Sequence, residues 1–428
     1  MAGDPLPGVL IAVPVVLLLC RAGAVVMRRC GQPAVLGEIA VGILLGPSLL
    51  GWLWPAGQHR LLPAEVLPYL GVLGNLGLVV FMFLVGFELD LGLLRGRGRD
   101  VVVVSQAGVV VPLVLGGLLA TGMYGSFAPD GVGRGAFVLF VAVAMSVTAF
   151  PVLARILTEQ GLYGTPVGAV AMACAAVADV VAWCLLAVVV AVAGGGGHGV
   201  GGAVVTATLA AGFLAAMWWG VRPLLARCAG RWGDAGGVVA LFIGLCLAAY
   251  ATDAIGVHAL FGAFVFGAVV PRGRAPVERA AHRMGEVVVP VLLPLFFVGS
   301  GLRTDIGLLG GVRAWLWAAA VLVVAIAAKW GAGAGAAWAV GQPVREAVML
   351  GALLNCRGVT ELVVLNVGLG LGVIGPEVFT VLVLMTVVTT ALTGPVVRRM
   401  VVRDTADTAD TVKADADADA VNGPPADR

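Results

Sequence analysis

Charge is scarce in this sequence. Asp, Glu, Lys and Arg make up 12% of its 428 residues, about half of the roughly 25% usual in soluble globular chains. Lysine is nearly absent, with Lys329 and Lys413 the only two. The seven cysteines are odd in number, scattered, and include no CxxC pair, and the four histidines lie far apart. Neither a disulfide framework nor a structural zinc site is therefore expected. The chain opens "MAGDPLPG", with no basic region ahead of the first apolar run, so no cleaved signal peptide is expected. The glycine-rich "GGGGHGVGG" at 194–202 has no GK[ST] to form a phosphate cradle. "GAGAG" at 331–335 reads as a small-residue packing face, not a dinucleotide fingerprint. Only one Asp lies deep in an apolar run, whereas an intramembrane aspartyl protease needs two that face each other. No cofactor and no nucleic-acid partner is expected.

Apolar residues are what the chain has: 60% of the whole, with a mean hydropathy of +1.05. About 20 consecutive apolar residues cross a bilayer as a helix, and lipid leaves no water to satisfy open backbone groups. Thirteen such segments are predicted, at 8–28, 33–51, 66–88, 101–122, 136–157, 167–194, 202–221, 236–252, 256–271, 287–302, 313–339, 347–371 and 376–400. The fold class expected is an all-α polytopic membrane protein. One alternating set of loops holds 17 arginines and the other only Arg60, Arg134, Arg303 and Arg313. The positive-inside rule then puts the N-terminus outside and the C-terminus in the cytoplasm of a multi-pass cell-membrane protein. Residues 1–403 form the membrane domain in this reading. Residues 404–428, rich in Asp, Ala and Thr, are expected to be a disordered cytoplasmic tail.

Two spans are interrupted near mid-membrane. The fifth reads "AMSVTAFPVLARIL", with Pro151, and the twelfth reads "LLNCRGVTELVVLNVGLG", with Asn355, Arg357 and Gly358. They lie seven spans apart and so run in opposite directions. Spans four to six and eleven to thirteen are expected to form inverted repeats, and broken helices at matching positions of such repeats point to a transporter's binding site.

A charge at the bilayer centre costs roughly 2.5–3.5 kcal/mol on insertion scales. Asp179 in span six has no charged residue within twelve positions on either side. A carboxylate holds either a proton or a small monovalent cation through oxygen. Exposed alternately to each side, such a group exchanges one for the other; the alternative is a structural Asp hydrogen-bonded to a broken helix. Lys329 in span eleven pairs with a carboxylate, caps exposed carbonyls, or snorkels to the cytoplasmic face. Arg357 and Glu361 sit four apart on one helix face, as a structural ion pair or as part of the site. Ser146 and Thr148, beside Pro151, offer hydroxyls to a cation or back-bond to their own helix. Arg21 and Glu38 read as interfacial or packing residues.

Several segments together resemble the monovalent cation:proton antiporter family of the sodium/hydrogen exchanger superfamily. They are similar to its branch of bacterial potassium-efflux antiporters and plant cation/H⁺ exchangers. The likeness runs through "GQPAVLGEIAVGILLGPSLLG" (31–51), "LGLVVFMFLVGFELD" (76–90), "SVTAFPVLARIL" (146–157), "AAVADVVAW" (175–183), "TDAIGVHALFGAFVFGAVVP" (252–271), "LPLFFVGSGLRTDIG" (293–307) and "LLNCRGVTELVVLNVG" (353–368). The resemblance implies two crossing broken helices in a core domain, a separate dimerisation domain and a homodimer. It also implies an ion-binding aspartate at Asp179, a basic residue at Lys329, and branch-specific charges at Arg357 and Glu361. The chain departs from the family at Ala178, where Asn or Asp usually precedes the aspartate. With one carboxylate, one-for-one, electroneutral exchange of Na⁺ or K⁺ for H⁺ is expected. Two other functions suit the same pattern: a ligand-gated monovalent cation channel, and a membrane sensor of this fold that has lost turnover.

Overall fold

The computed structural model describes residues 5–88, 98–194, 199–228 and 234–421, which are helical with short connections and no strand among them. The helices are α1 (Leu6–Arg29), α2 (Ala34–Leu45), α3 (Leu50–Leu53), α4 (Pro55–Leu61), α5 (Leu67–Glu88) and α6 (Gly98–Phe127). Then come α7 (Arg134–Ser146), α8 (Phe150–Glu159), α9 (Pro166–Gly194), α10 (Gly199–Ala215), α11 (Arg222–Cys228) and α12 (Asp234–Ile255). A π-helical turn at Ala216–Val221, not foreseen from the sequence, joins α10 to α11. The rest are α13 (Ala259–Val269), α14 (Ala275–Val291), α15 (Leu293–Leu302), α16 (Val312–Ala339), α17 (Val344–Leu354), α18 (Val359–Gly370) and α19 (Pro376–Val421).

By length and composition, eleven stretches among the described residues can cross a membrane. That is fewer than the thirteen expected. The two remaining expected spans, 136–157 and 256–271, hold the shorter apolar helices α7 and α13. In span five the helix stops after Ser146 and restarts at Phe150. The thin separation between spans eight and nine at "TDAIG" is a real break, with Gly256 at φ 87° between α12 and α13. The last helix is continuous to Val421, and residues 422–428 of the expected tail lie outside the described residues.

Packing divides the helices into two groups. In one, α6 packs on α7, α9 and α16; α16 packs on α17 and α19; and α8 and α17 lie against α9. This group holds a helix, a broken helix and a helix (α6, α7–α8, α9), then the same order again (α16, α17–α18, α19). In the other, α1, α2, α5 and α15 pack around a small apolar cluster, with α12 to α14 alongside. Helices pass closely there because glycine leaves out a Cβ. A Cβ on Gly42 of α2 would meet the backbone of Val298 in α15 at 2.6 Å. The two groups meet along a seam where α15 lies against α18 and α2 against α19, and one buried apolar cluster runs through both.

Candidate functional site

The end of α7 sets the site's chemistry. The last four carbonyls of a helix have no intrahelical partner, and its C-terminus carries partial negative charge. Here each has found a donor. The Ser146 hydroxyl donates back to Val143 O at 2.8 Å. Arg357 donates to Ala144 O at 3.2 Å and to Met145 O. Lys329 Nζ donates to Ser146 O. Two fully buried cations thus cap one broken helix.

After Ser146 the chain is extended through Val147 and Ala149, and α8 begins with Pro151 in its first turn, where a missing N–H costs nothing. The second break runs from Asn355 to Gly358. The two breaks touch through the backbone: Ala149 N–H donates to Cys356 O at 3.2 Å, and the Thr148 hydroxyl reaches Leu354 O at 3.4 Å. Gly358 has φ 150°, and a Cβ there would lie 2.8 Å from Val152 Cγ2 of α8. Only glycine fits this crossing.

Each restarted helix has a carboxylate near its N-terminus, the end that attracts anions. Glu361 stands in the first turn of α18. Its Oε1 accepts from Arg357 Nη1 at 3.1 Å, with both side chains fully buried. Asp179 of α9 serves α8: the Phe150 amide lies alongside its carboxylate without reaching hydrogen-bond geometry. Asp179 is 2% exposed. Neither of its oxygens accepts a hydrogen bond from the described residues.

The sequence-predicted residues Ser146, Thr148, Pro151, Asn355, Arg357 and Glu361 therefore lie in or next to the two breaks, and Lys329 is bonded to the first of them. Among the ways Lys329 was expected to act, the geometry has it capping a carbonyl, and full burial leaves no path to the aqueous face. Asp179 is nonetheless one of the charges within electrostatic reach of it. Glu38 of α2 is only partly buried, and the charges around it are Arg155 of α8 with Arg21 and Arg28 of α1. Sequence reasoning missed Thr390, whose hydroxyl donates to Arg357 O at 2.8 Å and supports the second break from α19. It sits in a run of buried threonines, of which Thr386, Thr389 and Thr393 bond within their own helix. The run itself, unusual in an apolar span, was the available signal. Trp183, one turn beyond Asp179, was also missed; its indole N–H is buried and has no acceptor among the described residues.

A cavity of about 420 Å³ lies along the seam, between α18 and the helices α5, α13 and α15. Arg303 bridges its wall, donating to Asn366 Oδ1 at 3.1 Å. Asp179 does not line it.

Residues 15–403 match the family described as sodium/hydrogen exchanger, transmembrane. The chain is 39% identical over 397 residues to the Na⁺/H⁺ antiporter NhaS4 of Synechocystis, covering 90% of this chain and 94% of that one. It is 39% identical to cation/H⁺ antiporter 20 of Arabidopsis thaliana over 91% of its own length, and 33% identical to K⁺/H⁺ antiporter 1 of Saccharomyces cerevisiae over 92%. It spans about half the length of these two relatives, 48% and 46%. In fold it is similar to the sodium proton antiporter MjNhaP1 of Methanocaldococcus jannaschii, with a TM-score of 0.68 at 13% identity, over 92% of this chain and 96% of that one. With its two broken helices and a family match over nearly its whole length, the chain belongs to the sodium/hydrogen exchanger family.

Proposed function

We propose that this protein is a secondary transporter that exchanges a monovalent cation, Na⁺ or K⁺, for H⁺ across the cytoplasmic membrane. Asp179 is the group both ions share, and it opens alternately to the two sides. One observation carries the reading: of the buried charges at the crossing, Asp179 alone has no side-chain partner among the described residues, with only the Phe150 amide beside it, while Lys329, Arg357 and Glu361 each make a hydrogen bond. An acid kept in that condition has a ligand to bind. The names of the relatives support exchange of a cation for H⁺ and differ over the cation.

The capping cations leave Asp179 free to act. With the α7 carbonyls held by Arg357 and Lys329, the negative end of that helix does not compete for the incoming cation. One carboxylate carrying one cation out and one proton back moves no net charge. The N-terminus is outside, and the protein works as a homodimer; a single-chain mass in native nanodiscs would count against the dimer.

The test is H⁺ movement in proteoliposomes driven by Na⁺, K⁺ and Li⁺ in turn, repeated under clamped membrane potentials. Wild-type protein is expected to exchange at a rate indifferent to voltage, and Asp179→Asn to insert normally and exchange nothing. Cation-driven H⁺ release by Asp179→Asn would remove the assignment. A steep voltage dependence would mean that a second proton moves, with Lys329 its first suspect.

A further inference from the structure

We infer that Asn355 supplies a side-chain oxygen to the transported cation and so helps set which cation is carried. The inference rests on Asp179 being the shared ion site. A cation leaving water must replace hydration oxygens with protein oxygens, and the number and strength of those oxygens discriminate Na⁺ from K⁺. Helix α9 brings only Asp179. Its neighbours Ala178 and Val180 have no polar side-chain atom, and Trp183, one turn on, can only donate. The other oxygens must come from the crossing.

Most oxygens of the crossing are already engaged. Ala144 O and Met145 O accept from Arg357, Ser146 O from Lys329, Leu354 O from Thr148, Cys356 O from Ala149, and Arg357 O from Thr390. Two side-chain oxygens of the second break are different, Glu361 Oε2 and Asn355 Oδ1; the Glu361 carboxylate is already paired with Arg357, which leaves Asn355 Oδ1. The residue is 3% exposed, and this oxygen has no hydrogen-bond partner among the described residues. A buried carbonyl oxygen left unpaired needs an explanation. Its position offers one. The carbonyls on either side of it, of Leu354 and Cys356, are both bonded to residues 148–149. The next residue, Phe150, lies beside the Asp179 carboxylate. The orphan amide oxygen therefore belongs to the same crossing as the two orphan carboxylate oxygens. An amide adds ligand strength without adding charge, so one cation still replaces one proton.

The experiment reconstitutes the full chain as wild type, Asn355→Ala, Asn355→Asp and Asp179→Asn, and measures apparent KM for Na⁺, K⁺ and Li⁺. Asn355→Ala is expected to raise KM for the best-carried cation about tenfold, the size of one lost polar contact, and to narrow the Na⁺/K⁺ preference. Asn355→Asp keeps an oxygen and adds a second titrating carboxylate, so it should bind cation at least as well and exchange in a voltage-sensitive manner. Wild-type KM values and preference in Asn355→Ala, with Asp179→Asn inactive, would overturn the role of Asn355 and leave Asp179 standing. Activity in Asp179→Asn would instead remove the underlying site. If Asn355→Ala does not insert, Asn355→Asp decides: unchanged KM with voltage-indifferent exchange overturns the inference.

Discussion

Four buried charges meet at the crossing, and their hydrogen bonds separate their tasks. Arg357 holds two helix-terminal carbonyls and one carboxylate, whereas Glu361 is held by Arg357, with the Thr386 hydroxyl beside it. Removing one partner of a buried pair typically costs about 3–5 kcal/mol, because the other charge is stranded. The unequal partner lists rank the variants. Arg357→Met should be the least stable, since it strands Glu361 and frees Ala144 O and Met145 O. Glu361→Gln should be the most stable of the three, and the double variant should fall between them because it removes the stranded charge but not the stranded carbonyls. Thermal unfolding in detergent checks the order. If the double variant loses as much as the two singles added together, the pair is not coupled. Lys329→Met should also lower stability, by stranding Ser146 O.

At the level of helices, the crossing depends on backbone that only glycine adopts. Gly358→Ala would place a methyl group against Val152 in a region of φ that L-residues avoid. A loss of about 1–3 kcal/mol is expected from the strain, seen as a lower melting temperature with cation exchange reduced in proportion to folded protein. Wild-type stability in Gly358→Ala would mean that the second break does not lie against α8. Much of this element was legible in the sequence. Pro151, Gly358 and a charge in an apolar run are conspicuous by their chemistry, so both breaks could be read from the sequence, and the four buried charges lie at or beside them. Lys329 was not resolved beforehand, because spacing along α16 does not reveal which carbonyl on α7 lacks a partner. Thr390 was hidden for a similar reason: its neighbours in α19 bond to their own helix, and only contact with Arg357 O distinguishes it.

Over the whole molecule, the arginine bias makes a statement about sidedness that one native residue can report. Cys30 is exposed in the turn between α1 and α2, a turn expected on the cytoplasmic side. A membrane-impermeant thiol reagent should leave it unlabelled in intact cells and label it after permeabilisation, with the added signal absent from Cys30→Ser. Labelling of Cys30 in intact cells would invert the proposed orientation. The two-group architecture has a mechanical consequence as well. One group is knit by buried ions and backbone-to-backbone bonds, the other by glycine-lined contacts between backbones. The seam of α15 on α18 and α2 on α19 is tied by a few side-chain hydrogen bonds: Arg303 donates to Asn366, Asn366 to Ser300, and Gln32 to Ala391 O. A bilayer whose thickness mismatches the protein applies its load to every helix. If exchange slides one group past the other, the seam bonds must break and re-form, and lipid thickness should then change the exchange rate in proteoliposomes of different acyl-chain length more than it changes the melting temperature.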